Sequence, residues 1–265
     1  MNFKLSFSLL ALKKEKKIET LLKILNKEKI SNVEIPISKF FPNYDINENK
    51  IKRLKKIFDK YQIKISSIQA IFYKKNMNVL NSNDEDKVLN HLKKINLFCK
   101  KLKIKNIIFG SPANRVRTNL SLNDANRNFI KILKKISVDL RKKKLNFCIE
   151  PNSKFYKCNY INNTNQALNL LKKNKIKNVY INFDTGNALL EKDYVKVNKF
   201  DQKYFKNFQI SEKNLKEIKN HKKHVSLLKK FNLENKYLSL EMLNIDLNKI
   251  RKNLKKFKLI ASNIK

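Results

Sequence analysis

The sequence predicts a single α/β domain over residues 1–265, folded as a (β/α)8 barrel with eight parallel strands and outer helices. Eight short runs rich in β-branched and aromatic residues occur along the 265 residues, and longer segments with apolar residues at helical spacing separate them. No linker, repeat or low-complexity block divides the chain. Eight strand–helix units in about 250 residues are typical of this barrel. A doubly wound sheet would more often have fewer strands and a glycine-rich first turn, which is absent here.

The eight predicted strands are short and evenly spaced: Lys4–Leu10, Asn32–Ile37, Ile65–Phe72, Asn106–Ser111, Leu145–Glu150, Asn178–Asp184, Asn207–Ser211 and Tyr237–Glu241. Between them, apolar residues recur every three or four positions, which predicts amphipathic helices. The predicted helices cover the apolar positions of residues 18–25, 51–57, 89–98, 129–136, 165–173, 222–231 and 247–254. Asn and Asp precede several of them, as in Ser82-Asn83-Asp84, where their side chains can cap a helix.

The chain is strongly basic but uses lysine for almost all of its positive charge. The net charge is +39, and 55 of the 61 basic residues are lysines spread along the whole sequence. Arginine supplies the bidentate contacts to phosphates and guanine, so a dedicated nucleic-acid binder would be expected to use more of it. The low glycine and proline content suggests an A+T-rich coding sequence instead. We therefore expect no specific nucleic-acid partner, and a small anionic or sugar substrate.

Cysteine content and hydropathy indicate a cytoplasmic protein without a membrane partner. Cys99, Cys148 and Cys158 form no CxxC pair and leave one thiol over in any pairing, which suits a reducing compartment. The apolar run from Phe7 to Leu12 is followed by charge and has no small-residue cleavage site, so it is interpreted as part of the first strand. No run approaches the ~20 apolar residues that a membrane span needs.

A barrel of this kind carries its functional residues at the carboxyl ends of the strands. Glu150, Asp184 and Glu241 end the fifth, sixth and eighth predicted strands, and Gln209 lies at the corresponding depth on the seventh. Strand alternation places these side chains on one face, so three carboxylates would converge if that face is inside. Such a set suits Mg²⁺ or Mn²⁺, with Zn²⁺ as an alternative. The competing interpretation pairs each carboxylate with a lysine.

Both glycines and three of the four prolines also lie at strand ends. Because the chain uses glycine so rarely, we expect that backbone geometry, such as a positive φ or a fixed turn, requires Gly110 and Gly186. The competing interpretation is that these residues only terminate strands.

Seven segments, in this order and spacing, resemble the xylose isomerase-like TIM barrels, known as sugar phosphate isomerases/epimerases. They are VEIPISKFFP (33–42), IQAIFY (68–73), IIFGSPANR (107–115), CIEPN (148–152), NFDTGN (182–187), QISEKNL (209–215) and LSLEM (238–242). The resemblance implies a divalent metal held by Glu150, Asp184, Gln209 and Glu241, with Glu150 and Glu241 also acting as the acid/base pair. Gln209 and Asn187 depart from the family pattern, since histidine is common at both places.

Further residues near the predicted mouth are candidates for binding the substrate. Arg115 is expected to anchor a phosphate or carboxylate, because it comes three residues after a strand-end Gly-Ser-Pro in a chain with six arginines. His221 matches a family position near the mouth, whereas His91 and His224 are assigned to helix surface or packing. The complete set of substrate-binding candidates is Gln69, Asn114, Arg115, Asn152, Asn187, Lys213 and His221.

The resemblance implies a metal-dependent isomerase or epimerase that moves a proton through an enediolate of a sugar, sugar phosphate or polyol. A non-catalytic sugar-binding barrel and a lyase or dehydratase with the same proton-abstraction step stay open. An abasic-site endonuclease shares the fold, but its zinc cluster is built largely from histidines, and this chain has three histidines in all. Relatives are often dimers or tetramers, which implies a homodimer or tetramer here.

Overall fold

The computed structural model describes residues 2–13, 17–193 and 196–264. Eight parallel strands form a closed barrel in which each strand pairs with the next and the last pairs with the first. The strands are β1 (Lys4–Ser8), β2 (Asn32–Pro36), β3 (Lys64–Gln69), β4 (Asn106–Phe109), β5 (Asn146–Ile149), β6 (Val179–Asp184), β7 (Phe205–Ile210) and β8 (Tyr237–Leu240). The predicted single (β/α)8 barrel is confirmed.

Helices surround the barrel and follow the predicted segments closely. They are α1 (Ile18–Lys27), α2 (Ile37–Phe40), α3 (Glu48–Lys60), α4 (Glu85–Lys101), α5 (Leu122–Lys143), α6 (Thr164–Asn174), α7 (Thr185–Leu190), α8 (His221–Leu228) and α9 (Leu247–Ser262). Side-chain caps begin several of them, as when the Ser121 hydroxyl accepts a hydrogen bond from the Asp124 amide at 3.0 Å before α5. Among the described helices, none is both long enough and apolar enough to cross a membrane.

Most of the left-handed backbone positions among the described residues are filled by lysine or asparagine, and none by glycine. Lys144 ends α5 with φ 55° and Lys175 ends α6 with φ 46°, the place where glycine is usual. Neither Gly110 nor Gly186 has a positive φ, so that part of the glycine prediction is wrong. A Cβ added at Gly186 would lie 2.2 Å from the Ser211 hydroxyl oxygen and 2.7 Å from its carbonyl oxygen. The close approach of the ends of β6 and β7 therefore requires glycine there.

The two faces of each strand enter different environments. The outward face of the strands packs apolar side chains against the helices, and Phe183, Phe208 and Phe231 form one such contact with ring centroids 4.4 to 6.3 Å apart. The inward face is polar, with fully buried side chains linked by hydrogen bonds: Glu34, Ser67, Asn182, Asn207 and Gln209. The strands therefore enclose a polar interior, which opens at their carboxyl ends.

Candidate active site

A cavity of about 500 Å³ opens at the carboxyl ends of the strands. Its lining includes Gln69 at the end of β3, Gly110 after β4, Glu150 after β5 and Glu241 after β8. This is the end of the barrel at which (β/α)8 proteins carry their functional residues. The cavity therefore brings together the two carboxylates that the sequence places at the ends of its fifth and eighth strands.

Glu150 is held by three asparagine side chains. Its Oε1 accepts hydrogen bonds from the Asn152 amide at 2.8 Å and the Asn187 amide at 3.1 Å, and its Oε2 accepts one from Asn182 at 3.1 Å. Burial, and then the nearby charge of Asp184, raise the pKa of Glu150 to about 8, against the opposing effects of Arg115 and the asparagine donors. A carboxyl group of this kind is poised to exchange a proton near neutral pH.

Asp184 caps the short helix α7 with one oxygen and leaves the other unpaired. Its Oδ1 accepts from the Asn187 backbone amide at 2.7 Å, the Asn187 side-chain amide at 3.0 Å and the Ser211 hydroxyl at 2.9 Å. Its Oδ2 is buried without a hydrogen-bond partner among the described residues. Burial raises the pKa of Asp184 in spite of these hydrogen bonds. An orphaned buried carboxylate oxygen is costly unless a cation or proton satisfies it.

Glu241 is the third carboxyl group that the sequence places at a strand end. Its pKa is raised well above the ordinary value by burial and then by the charges of Glu150, Asp184 and Glu34, while a hydrogen bond with Gln69 opposes the shift. The carboxylates therefore repel one another in a poorly solvated space.

Glu34 is a fourth buried carboxyl group that was not among the predicted site residues. It lies on β2 inside the barrel, fully buried, and accepts hydrogen bonds from Ser67 at 2.8 Å, Asn207 at 3.0 Å and Gln209 at 2.8 Å. Burial raises the pKa of Glu34. The signal for it was present in the sequence, since a glutamate between Val33 and Ile35 in a strand must point inward.

Gln209, a predicted metal ligand, has both ends of its amide in use within the barrel. Its Oε1 accepts a hydrogen bond from Asn182, and its Nε2 donates to Glu34 at 2.8 Å and to Gln69 at 3.0 Å. To present its oxygen to a cation, the amide would have to give up the hydrogen bond from Asn182. The other three predicted ligands are carboxylates, which have the chemistry that Mg²⁺ and Mn²⁺ prefer.

The oxygen atoms of these three carboxyl groups are the type of ligand that a hard divalent cation prefers. Glu150, Asp184 and Glu241 repel one another, and Asp184 keeps an unsatisfied oxygen. In the part of the chain that the structure describes, however, no three His, Cys, Asp or Glu side chains are already arranged to hold a metal ion. The predicted metal site therefore stays a prediction, with the three carboxylates as the residues that would hold the ion.

Arg115 lies behind the cavity instead of lining it. Its side chain is fully buried, its Nη2 donates to the Glu150 carbonyl oxygen at 2.5 Å and to Asn152 Oδ1 at 2.7 Å, and its guanidinium lies 5.4 Å from the Phe109 ring centroid. In this position Arg115 orients Asn152, which in turn holds Glu150. The guanidinium is not part of the cavity wall, and its Nε and Nη1 are buried without a hydrogen-bond partner among the described residues, so the anchoring of a substrate anion by Arg115 stays a prediction.

The remaining predicted binding residues divide into two groups. Four of them line the cavity: Gln69, Asn114, Asn152 and Asn187. Lys213 is exposed, with its Nζ 4.3 Å from the Phe155 ring centroid, and is not among the cavity residues; His221 is exposed at the first residue of α8.

His224 was assigned to packing, but the structure places it in a polar cluster beside Asp184. It is fully buried, with Nδ1 at 2.8 Å from the Thr185 hydroxyl and Nε2 at 3.2 Å from Glu212. Although burial acts in the opposite direction, hydrogen bonds from His224 and from two backbone amides lower the pKa of Glu212 to about 2. Because Thr185 directly follows Asp184, this cluster fixes the chain at the end of β6.

Comparison with solved structures supports the fold assignment. An AP endonuclease of family 2 from Brucella melitensis matches with a TM-score of 0.77 and 13% identity, covering 97% of this chain and 98% of that one. A D-psicose 3-epimerase solved with D-fructose matches with a TM-score of 0.78 and 12% identity, covering 98% and 99%. The IOLI protein with a bound zinc atom matches with a TM-score of 0.72 and 14% identity, covering 98% and 97%.

At such low identities these likenesses establish the fold alone, and no curated protein matches the sequence. The xylose isomerase-like TIM barrel family, in contrast, matches the sequence itself over residues 27–259, from the end of α1 to α9. Fold, mouth cavity and sequence match agree: the chain belongs to the xylose isomerase-like TIM barrel family.

Proposed function

We propose that the protein is an enzyme that isomerises or epimerises a small sugar or polyol by moving a proton at a carbon next to a carbonyl group. The observation that carries this proposal is the pair Glu150 and Glu241, two carboxyl groups with raised pKa values that line the same cavity at the mouth of the barrel. Perturbed carboxyl groups in a cleft are characteristic of acid/base sites. The epimerase among the structural matches is consistent with the proposal.

The two groups reach the substrate from different sides. Glu150 follows β5 and Glu241 follows β8, with β6 and β7 between them on one side of the barrel. One carboxylate removes the proton from the carbon, and the other carboxyl group returns a proton to the opposite face or to the neighbouring carbon. The first outcome is epimerisation and the second is isomerisation. Asn152 and Asn187 hold Glu150 in place for this step.

A divalent cation belongs to the proposal, with Mg²⁺ or Mn²⁺ ahead of Zn²⁺ because the available ligands are oxygens. Glu150, Asp184 and Glu241 would hold it. When bound, it would polarise the substrate carbonyl and stabilise the negative charge that develops on the oxygen. The protein residues determine where the proton goes, since both proposed acid/base groups are side chains of the chain itself.

The test is to replace each proposed acid/base residue by its isosteric amide. Glu150→Gln and Glu241→Gln are assayed for exchange of substrate hydrogen with D₂O and for product formation, over a panel of ketoses, aldoses and keto-glycosides with added Mn²⁺. Both variants should lose at least 100-fold in turnover, the usual minimum for removing an acid/base group. Glu234→Gln, at an exposed glutamate, is the matched control. Unchanged turnover in either site variant would exclude that residue from the mechanism.

A sugar-binding barrel without turnover is the second candidate. The observation that favours it is Gln209, whose amide is engaged with Asn182, Glu34 and Gln69, so its oxygen is not free to join the three carboxylates as a fourth ligand. Calorimetry with Mn²⁺ and sugars separates the two candidates. Sugar binding without detectable metal binding or hydrogen exchange supports the second candidate, whereas metal-dependent exchange supports the enzyme.

A further inference from the structure

The charge of the mouth cavity differs from the charge of the protein as a whole. Although the chain has a net charge of +39, the described residues that line the cavity include two carboxylates, Glu150 and Glu241, and one cationic side chain, Lys74. Lys74 is exposed, with its Nζ 5.7 Å from the Tyr73 ring centroid. Arg115 is buried behind the wall, where its Nη2 donates to the Glu150 carbonyl oxygen and to Asn152. A phosphate group in this cavity would therefore meet two carboxyl groups and a single exposed lysine instead of a cationic cradle.

The walls of the cavity are apolar, while its polar side chains gather at the strand ends. Gln69, Glu150, Asn152, Asn187 and Glu241 lie at or just beyond the ends of strands or at the start of α7, while Ser111 and Asn114 follow β4 and Lys74 is exposed. Above them the walls are formed by side chains of several loops: Leu10, Tyr73, Pro112, Tyr156, Leu215 and Leu243. Polar groups at one end and apolar walls at the other match a ligand with the same division.

Two of the wall residues expose large apolar surfaces at the rim. Tyr73 is 59% exposed and Leu243 is 42% exposed. Their backbones are fixed: the Tyr73 carbonyl accepts a hydrogen bond from Tyr44 at 3.1 Å, and the Leu243 amide donates to Leu215 at 2.9 Å. These side chains are therefore presented at defined positions without being needed to fill the core. Exposed apolar groups around a cleft commonly mark a binding site.

We propose that this cavity takes a neutral sugar or polyol that carries an apolar substituent, alkyl or aryl, and that it disfavours a sugar phosphate. The inference rests on the proposed function in using the same cavity. The hydroxyl groups of the sugar meet the carboxylates and amides at the strand ends, and the apolar group lies between the walls at Tyr73 and Leu243. A cavity of about 500 Å³ lies within the range of pockets for ligands larger than a simple sugar, roughly 300 to 1,000 Å³.

Equilibrium binding tests the inference without requiring turnover. For each hexose in a panel, the methyl glycoside, the phenyl glycoside and the hexose 6-phosphate are titrated into the intact protein by calorimetry, with and without Mn²⁺. The variants are Tyr73→Ala and Leu243→Ala, and Leu259→Ala is the matched control because Leu259 is 52% exposed on α9 and not part of the cavity wall. Sedimentation is measured on all four proteins.

For at least one sugar, the phenyl glycoside should bind at least tenfold more tightly than the methyl glycoside, since burial of an aromatic ring contributes that much. The 6-phosphate should bind more weakly than either. Tyr73→Ala and Leu243→Ala should each reduce the preference for phenyl at least threefold, and Leu259→Ala should leave that preference unchanged.

Three results would overturn the inference: tighter binding of the phosphate, a phenyl preference that survives both variants, or no phenyl glycoside bound at 10 mM, roughly the weakest affinity that calorimetry detects. If the wild type is a dimer without a phenyl preference, and Tyr73→Ala and Leu243→Ala dissociate that dimer, the rim binds a second copy of the chain. This result would also overturn the inference. Failure of the proposed function looks different, because hydrogen exchange would then be absent while the phenyl preference persists.

Discussion

Replacing Glu150 by glutamine should remove a loss of stability that the wild type undergoes as the pH rises from 5 to 8, so the variant should gain stability relative to the wild type over that range. The pKa of Glu150 is raised from its ordinary 4.5 to about 8, first by burial and then by Asp184. Between these two values the folded state keeps a proton that the unfolded chain has released, so the wild type loses stability with each pH unit. At about 1.4 kcal/mol per unit, three units amount to about 4 kcal/mol that the glutamine variant does not lose.

The assay is urea unfolding of both proteins at pH 5, 6, 7 and 8 in a metal-free buffer with chelator. Glutamine cannot accept all three hydrogen bonds from Asn152, Asn182 and Asn187, which adds a cost that is independent of pH. The quantity to compare is therefore the change with pH in the difference between the free energies of unfolding, and not its value at one pH.

Glu48→Gln is the matched control for the same chemical change. Glu48 is exposed, and its hydrogen bond and ion pair with Lys101 lower its pKa. A lowered pKa stabilises the fold above the ordinary value, so this contribution is fully present from pH 5 to 8 and its loss gives a constant offset. If the Glu150→Gln difference is equally flat, Glu150 is already ionised in the folded protein at pH 5, and the reasoning that makes it an acid/base group fails.

Three further outcomes follow from the same geometry. Gly186→Ala should lower the free energy of unfolding by about 2 to 3 kcal/mol in the same urea assay, because its Cβ would overlap Ser211. Gly110→Ala should lower it by less than about 1 kcal/mol, because its Cβ would lie 3.3 Å from the nearest atom. Mn²⁺ should raise the melting temperature of the wild type but not of Asp184→Asn, and chelator should reverse the rise; an equal rise in both proteins would remove Asp184 from the proposed site. Arg115→Met should cost about 2 to 3 kcal/mol, because two buried acceptors lose a charged donor, and an unchanged unfolding curve would contradict the role assigned to it.

The fold could be predicted from the sequence because strand and helix periodicities are local signals. All eight strands lie within about three residues of their predicted bounds. The prediction of a positive φ at the glycines was wrong, because the constraint on Gly186 is not a local one. Gly186 is required by the approach of Ser211 from the next strand, a distance between segments that no local pattern encodes. Residues such as Lys144 and Lys175 adopt the left-handed backbone conformation instead. The conformational strain is modest, and surface positions tolerate it.

The site could be predicted in part. Strand alternation located Glu150 and Glu241, since a carboxylate at the end of a buried strand must face the barrel mouth. Alternation also applies to Glu34, which lies in the middle of β2 and not at a strand end. For Arg115, rarity and position in the sequence are compatible both with a ligand contact and with a buried structural role. Only the acceptors around its guanidinium distinguish the two roles.

The overall charge of the protein does not determine the environment of the barrel mouth, and screening explains why. Surface lysines act through water and salt, where charges separated by more than about 8 Å at physiological ionic strength hardly influence one another. Inside the barrel the dielectric constant is low, so Glu150 responds first to its own burial and then to Asp184, and Glu241 responds to the same neighbours. The chemistry of the mouth is therefore set by a few buried groups and their asparagine partners, and not by the lysines of the surface.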